Sequence, residues 1–244
     1  MKQNIYDDPA FFSSYQAMRS KKVGLHEFVE QPAMLALMPD VRGATALDLG
    51  CGAGGFCRKL IDLGCTSVIG VDISSKMLEV ARRDAPAGIE FHNVPLEEFD
   101  WKDSAFDLVV SSLALHYLAD LDELFRKVHQ WLKSPGAFLF STEHPLFTCA
   151  QGIHPHCIEN HDGHPLYWPL DCYSHEGRRE SHWFVDGVVR YHRTMSTILN
   201  SLIHSGFTIS TIREPVASAA GEQENPDLKN ERRRPTLLIV KAVK

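Results

Sequence analysis

The segment Ala46-Leu47-Asp48-Leu49-Gly50-Cys51-Gly52-Ala53-Gly54-Gly55-Phe56 constrains the fold more than any other part of the chain. A short apolar run passes through closely spaced glycines into a pattern of helical period. Glycines at such a strand–turn–helix let the backbone turn sharply and let a ligand come close to the main chain. The helix start beyond them offers unpaired N–H groups. Asp72 ends the next apolar run. A carboxylate at the tip of a second strand is placed to accept both hydroxyl hydrogen bonds of a ribose.

The rest of the chain repeats this alternation. Strands are expected at Thr45–Leu49, Ser67–Val71, Ile89–Val94, Phe106–Ser111 and Ala137–Thr142. Helices are expected at Gly55–Leu63, Ser75–Arg83 and Leu121–Leu132. Alternating strands and helices imply a parallel sheet covered on both faces, and Leu108-Val109-Val110 reads as a strand buried on both sides. Residues 9–38 look helical, with a break at Gly24. From 145 to 192 the pattern is lost in His, Pro, Gly, Trp and Tyr, a length that suits a functional lid. A helix at Thr194–His204, closed by Gly206, then leads to strands at Phe207–Arg213 and Thr236–Ala242, expected as antiparallel neighbours. The expected fold is therefore α/β: a Rossmann-like, seven-stranded mixed sheet, last strand antiparallel, with helices on both faces. Its parts are an N-terminal helical lid (1–40), a cofactor-binding core (41–144), a substrate-lid insertion (145–192) and the C-terminal part of the core (193–244).

A length of 244 residues, 44% of them hydrophobic, suits one such domain. The formal charge of −6 argues against a nucleic-acid partner, because the overall field repels phosphate backbones. No stretch reaches the ~20 apolar residues of a membrane span, so no membrane partner is expected. Six irregularly spaced cysteines without a CxxC pair read as reduced thiols of a cytoplasmic protein.

Two cofactor classes use a glycine turn of this kind. Gly50, Gly52 and Gly55 satisfy GxGxxG, which keeps an NAD-type dinucleotide open. Asp48 opposes it, since it stands where a pyrophosphate would go and would attract a cofactor carrying an ammonium and a sulfonium. The glycines also read as GxGxG through Gly54.

LDLGCGAGGF, GVDIS around Asp72, and FDLVVSSLALHYL at 106–118 resemble the class I S-adenosylmethionine (SAM)-dependent methyltransferases. WLKSPGAFLFSTEHP at 131–145 and YHRTMSTILNSLIHSGF at 191–207 are similar to the small-molecule branch called methyltransferase type 11, which includes the ubiquinone/menaquinone-biosynthesis enzymes. The resemblance implies that Gly50, Cys51, Gly52, Ala53 and Gly54 run beside the methionine part of SAM. It implies that Asp72 holds the ribose, Ile73 packs on the adenine and Met77 covers its other face. Where the family commonly places an acidic residue for the adenine amino group, this chain has Pro95, which leaves the backbone N–H of Leu96. Ser111 would lie beneath the sulfonium, and Tyr15 and Arg19 resemble residues that close over the SAM carboxylate.

Methyl transfer needs a nucleophile held in line with the methyl, and a base only where that nucleophile starts protonated. His116 and His144 follow the fourth and fifth strands, at the carboxyl edge where α/β ligands bind, and are the candidate bases. His154, His156, Cys157, His161, His164, Cys172, His175 and His182 match no standard zinc spacing, and no metal is expected. Tyr167, Trp168, Tyr173, Trp183 and Phe184 either line an apolar pocket or form the lid's own small core. The expected activity is methyl transfer from SAM to a small-molecule acceptor, with room for a homodimer. A non-catalytic SAM-binding protein and a dinucleotide oxidoreductase are the alternatives.

Overall fold

A computed structural model describes residues 2–150 and 157–244. The chain opens with α1 (Pro9–Ser20), which starts where Asp8 accepts the Phe11 N–H and Pro9 occupies the first turn. A π-helical turn at His26–Glu30 runs into α2 (Gln31–Leu37). Then β1 (Thr45–Leu49), α3 (Gly55–Asp62), β2 (Ser67–Asp72), α4 (Ser75–Arg83), β3 (Ile89–Asn93), β4 (Phe106–Ser112), α5 (Leu121–Trp131) and β5 (Leu132–Glu143) follow. The next stretch holds α6 (Pro145–Thr148) and two strand pairs, β6 (Ile158–Glu159) with β7 (Pro165–Tyr167) and β8 (Gly177–Trp183) with β9 (Val185–His192). The chain ends with α7 (Met195–His204), β10 (Thr208–Arg213), α8 (Ala219–Glu224) and β11 (Leu237–Val243).

The main sheet has seven strands in the order β10-β11-β5-β4-β1-β2-β3. β1 pairs in parallel with both β2 and β4, so the strand order reverses at β1. The loops leaving β1 and β4 therefore part, and they open a crevice at the carboxyl edge of the sheet. β11 runs antiparallel to β5 and to β10.

The two faces of the sheet carry separate cores. On one, Phe125, Val128 and Trp131 of α5 and Ile198 and Leu202 of α7 pack on Phe106, Phe138 and Phe140. On the other, Phe56, Cys57 and Leu60 of α3, Leu78 and Ala81 of α4 and Met34 of α2 pack on Ala46, Val68, Val110 and Leu139. Val109 and Val110 lie one on each face and both are fully buried, as strands covered on both sides require.

Residues 145–192 differ from the irregular lid expected of them. The β8–β9 hairpin is a regular antiparallel ribbon, from Gly177 opposite His192 to Trp183 opposite Val185. Its alternation was hidden because the inward positions carry Arg179, Arg190 and His192 beside Val188. Polar residues on the buried face erase the apolar period on which a strand is read. His154 and His156 of the histidine-rich stretch lie outside the described residues. Among the described residues, no group of three or more His, Cys, Asp and Glu is gathered to hold a metal ion. No helix among them is long and apolar enough to cross a membrane.

Candidate functional site

The crevice at the end of β1 is built by backbone. The N–H groups of Gly50 and Cys51 both donate to the Val71 carbonyl, at 2.8 and 3.0 Å, which folds the loop across the tip of β2. Gly50 has φ +77°, and a Cβ there would stand 2.3 Å from that of Ala114 in the loop after β4. Gly54 has φ +73°, and its Cβ would press on Phe91 and Ala81, whereas Gly55 has open space around it. The glycines that the backbone needs are thus Gly50, Gly52 and Gly54, the GxGxG reading. The Ala53 carbonyl accepts from Arg58 Nη2 at 2.8 Å.

Asp72 stands beside this loop, with Oδ2 accepting the Gly52 N–H and Oδ1 the Ser74 N–H, both at 2.8 Å. Each oxygen keeps a lone pair for a further donor. Burial raises the Asp72 pKa against the pull of these two bonds. Asp48 is 1% exposed beneath the loop, and burial lifts its pKa to about 7. The Cys57 thiol donates to its Oδ2 at 3.2 Å, while Oδ1 has no hydrogen-bond partner among the described residues. A buried carboxyl with a spare oxygen is suited to a cationic ligand.

The N-terminal segment covers the cradle. Asp7 accepts from the Ser74 hydroxyl at 2.6 Å and the Lys76 N–H at 3.1 Å, so it ties the segment to the start of α4. Asn4 Nδ2 donates to the Ile73 carbonyl at 3.3 Å. Gln3 bonds both the carbonyl and the N–H of Val189 in β9. Rings from both covers meet: Tyr15 lies 5.1 Å from Tyr6 and 6.1 Å from Trp183, and Phe11 lies 5.1 Å from Trp183, between ring centroids. Met77 is buried against the loop, its Cε 3.1 Å from where a Gly52 Cβ would be. Arg19 is paired with Glu27 at 3.0 Å. Leu96 is buried within the first core.

The ends of β4 and β5 supply the polar side of the crevice. Ser111 is fully buried and donates to the Leu49 carbonyl at 2.8 Å. Leu113 is held at φ +54°, where its N–H reaches the Ser141 hydroxyl at 3.0 Å. Strain of this kind in a non-glycine residue clusters at functional sites. The next turn presents His116, 5% exposed, with Nδ1 accepting the Glu143 N–H at 3.5 Å and Nε2 4.0 Å from Glu143 Oε1. Burial, with Arg190 and Arg193 nearby, holds the His116 pKa well below its ordinary value. Arg190 Nε lies 3.1 Å from Glu143 Oε1, and Glu143 Oε2 has no hydrogen-bond partner among the described residues. Burial pushes the Glu143 pKa up to about 7 although Arg190 pulls it down. The His116 ring packs 4.3 Å from Tyr117, whose hydroxyl is 3.5 Å from that of Tyr6.

His144 is placed differently. Its Nδ1 accepts the Leu146 N–H at 3.0 Å and caps α6, and its Nε2 lies 2.9 Å from Glu214 Oε1. Both ring nitrogens are engaged, with Nε2 the protonated one. Burial lowers its pKa and Glu214 opposes that.

The structure thus gathers Asp48, Gly50, Cys51, Gly52, Asp72 and Met77 at one cradle, and sets His116 in a second, polar cluster with Glu143, Arg190 and Tyr117. Sequence reasoning missed Tyr6, Asp7, Glu143 and Arg190. Only Glu143, adjacent to His144 at the end of the fifth strand, carried a signal in its position.

A methyltransferase-domain family matches residues 47–140. An S-adenosylmethionine-dependent methyltransferase from Mesorhizobium loti has 42% sequence identity and a TM-score of 0.84, over 91% of this chain and all of that one. An uncharacterized protein of Haemophilus influenzae is 36% identical across 100% of this chain and 98% of its own length. A malonyl-[acyl-carrier protein] O-methyltransferase of Enterobacter lignolyticus is 34% identical over 45% of this chain and 43% of its own. SAM is the cofactor, and the cradle fits it: buried Asp48 and Asp72 carboxyls have acceptor capacity left, beside three glycines at positive φ. The chain is a member of the S-adenosylmethionine-dependent methyltransferases.

Proposed function

We propose that this enzyme methylates a small-molecule acceptor held between the carboxyl ends of β4 and β5 and the covering hairpin. Enclosure is the observation that supports this reading. The N-terminal segment and the β8–β9 hairpin are clipped together through Gln3 and Val189, and Phe11, Tyr15 and Trp183 meet above the crevice. A pocket roofed in this way takes a metabolite more readily than a folded protein or a duplex. The formal charge of −6 argues against a nucleic-acid partner, and six cysteines without a CxxC pair support a cytoplasmic setting.

Bound SAM supplies an electrophilic methyl group on a sulfonium. The chain's own work is to orient and to exclude water. Asp72 and the glycine loop fix the cofactor, Asp48 offers it negative charge from below, and the rings above close the site. Holding the acceptor in line for displacement contributes up to ~7–11 kcal/mol in favourable systems.

Incubation of metabolite pools with methyl-labelled SAM tests the reading. Label in a small molecule is the expected result, together with heat protection by SAM and none by NAD. Label confined to protein or nucleic acid would overturn it.

A further inference from the structure

Glu143 is the buried acidic group that the cofactor cradle does not use. It ends β5 at the carboxyl edge of the sheet, 11% exposed in its side chain. One oxygen is held by Arg190 at 3.1 Å, and the other is sealed from solvent without a partner among the described residues. A buried carboxyl oxygen left open costs free energy that a proton or a ligand donor can recover. His116, the neighbouring candidate, has its Nδ1 lone pair turned to the Glu143 N–H and its Nε2 toward Glu143 Oε1. In that tautomer Nε2 carries the proton and faces Glu143, so His116 holds no free lone pair to act as a base.

We propose that Glu143 takes the proton of the methyl acceptor, with Arg190 and His116 as positioning residues, and that the acceptor is a neutral hydroxyl- or NH-bearing small molecule. This rests on the reading of the enzyme as a small-molecule methyltransferase. The lone pair of the acceptor's O or N forms the bond to the methyl carbon. The carbon–sulfur bond breaks, with its electron pair kept by sulfur as a neutral thioether. The acceptor's proton passes to Glu143 Oε2, and release to solvent after product departure resets the site. A carboxylate acceptor is disfavoured by charge repulsion, and a thiolate needs no base.

Two further observations support the assignment. The Glu143 cluster adjoins the cradle through three rings, with His116 on Tyr117 at 4.3 Å and the Tyr117 hydroxyl 3.5 Å from that of Tyr6, whose pKa burial and, more weakly, Asp72 raise. The groups facing Glu143 are His116 and Tyr117 from the turn after β4 and Arg190 from β9, with Arg193 acting on His116 from beyond. Burial outweighs Arg190 and leaves the Glu143 carboxyl with a pKa of about 7, the range in which a base both deprotonates its substrate and is itself unprotonated. Because Oε2 is enclosed, the acceptor reaches it only when the hairpin or the N-terminal segment moves aside.

The test uses the full-length protein with Glu143→Gln, Glu143→Asp and His116→Gln variants. Infrared difference titration of the free protein follows the carboxyl band, and kcat/KM is measured against pH with the hydroxyl or NH acceptors that labelled SAM reveals. A protonated-carboxyl band lost near pH 7 in the natural protein and missing from Glu143→Gln is expected. Turnover should fall ~10²–10⁴-fold in Glu143→Gln, with SAM affinity kept within about twofold as proof of folding, and part of it should return in Glu143→Asp. His116→Gln should keep the acidic limb of the pH profile. Turnover of Glu143→Gln within about tenfold of normal, or an acidic limb lost in His116→Gln and kept in Glu143→Gln, overturns the proposal. Label found only in thiols or carboxylates also overturns it, yet leaves the small-molecule reading standing. Absence of label from every small molecule removes both, and a band titrating near pH 4 counts against Glu143 alone.

Discussion

Arg190 Nε and Glu143 Oε1, 3.1 Å apart, join the inward face of a hairpin to the last residue of the fifth sheet strand. The contact ties together two segments that the sequence keeps 47 positions apart, from 143 to 190. It also places a cation that draws the Glu143 pKa down, Arg190, within the cover itself. Movement of the hairpin and ionisation of Glu143 are therefore linked.

Arg190→Met makes that linkage measurable. Without the guanidinium, the folded-state pKa of Glu143 rises above about 7, further from the model-peptide value of 4.5. A raised folded pKa means stability that is full below the unfolded pKa and lost as pH rises through the folded one. The variant's deficit against the natural protein should therefore grow between pH 6 and pH 9. It should stay below the ~3–5 kcal/mol of a stranded buried charge, because Glu143 can take a proton. Urea unfolding at the two pH values checks this, and a deficit that shrinks as pH rises would contradict it.

Asp72→Ala should weaken SAM binding by roughly tenfold to a hundredfold, the ~1.5–3 kcal/mol of a charged hydrogen-bond acceptor. Its carboxylate also accepts the Gly52 N–H at 2.8 Å, so the glycine loop should exchange its amides faster in the variant. Calorimetry on both proteins, with hydrogen exchange on the loop, separates ligand loss from loop loosening. Equal affinities would remove Asp72 from the site.

The sheet was legible in the sequence because its strands are buried on both faces. Leu108, Val109 and Val110 are apolar in succession, and nothing in their context competes with that pattern. The cradle was legible for a related reason: the turn after β1 admits only glycine at φ +77° against Ala114, so the need is written in the residue type. The cover was legible as two segments, 1–40 and 145–192, but its contacts were not. Asp7 meets Ser74 across 67 positions, and Gln3 meets Val189 across 186, and no local period records such contacts. The hairpin was masked by the charged residues it buries, and one of them, Arg190, reaches Glu143. His116 could be placed at the edge of the sheet, but its tautomer depends on the Glu143 N–H, which only the end of β5 supplies.

Asp48 should make SAM binding sensitive to pH. Its pKa stands at about 7 in the ligand-free protein, raised first by burial and then by the nearby Asp72 and Glu30 carboxyls. Cationic SAM favours the ionised form, so binding should release a proton below pH 7, and affinity should rise with pH until it levels above 7. The ligand-free fold follows the opposite course: stability present below the ordinary aspartate value of 3.8 is lost as pH rises through about 7. Asp48→Asn should abolish both trends. Calorimetry in buffers of differing ionisation enthalpy counts the protons, and a slope unchanged in Asp48→Asn would assign it to another group.

His144→Gln should separate capping from catalysis. In the structure His144 Nδ1 accepts the Leu146 N–H at 3.0 Å, while Nε2 is 2.9 Å from Glu214, so removing a proton from an acceptor would require this histidine to abandon one of two bonds. Loss of a helix N-cap costs ~0.5–2 kcal/mol, and the His144 side chain is the N-cap of the four-residue α6. The expected outcome is a lower midpoint in thermal unfolding, with kcat and SAM affinity close to normal. His144→Asn should recover part of the lost stability, because asparagine is itself a strong N-cap. A fall in turnover of ~10²-fold or more at unchanged stability would return His144 to the chemistry and move the proton path toward Glu214.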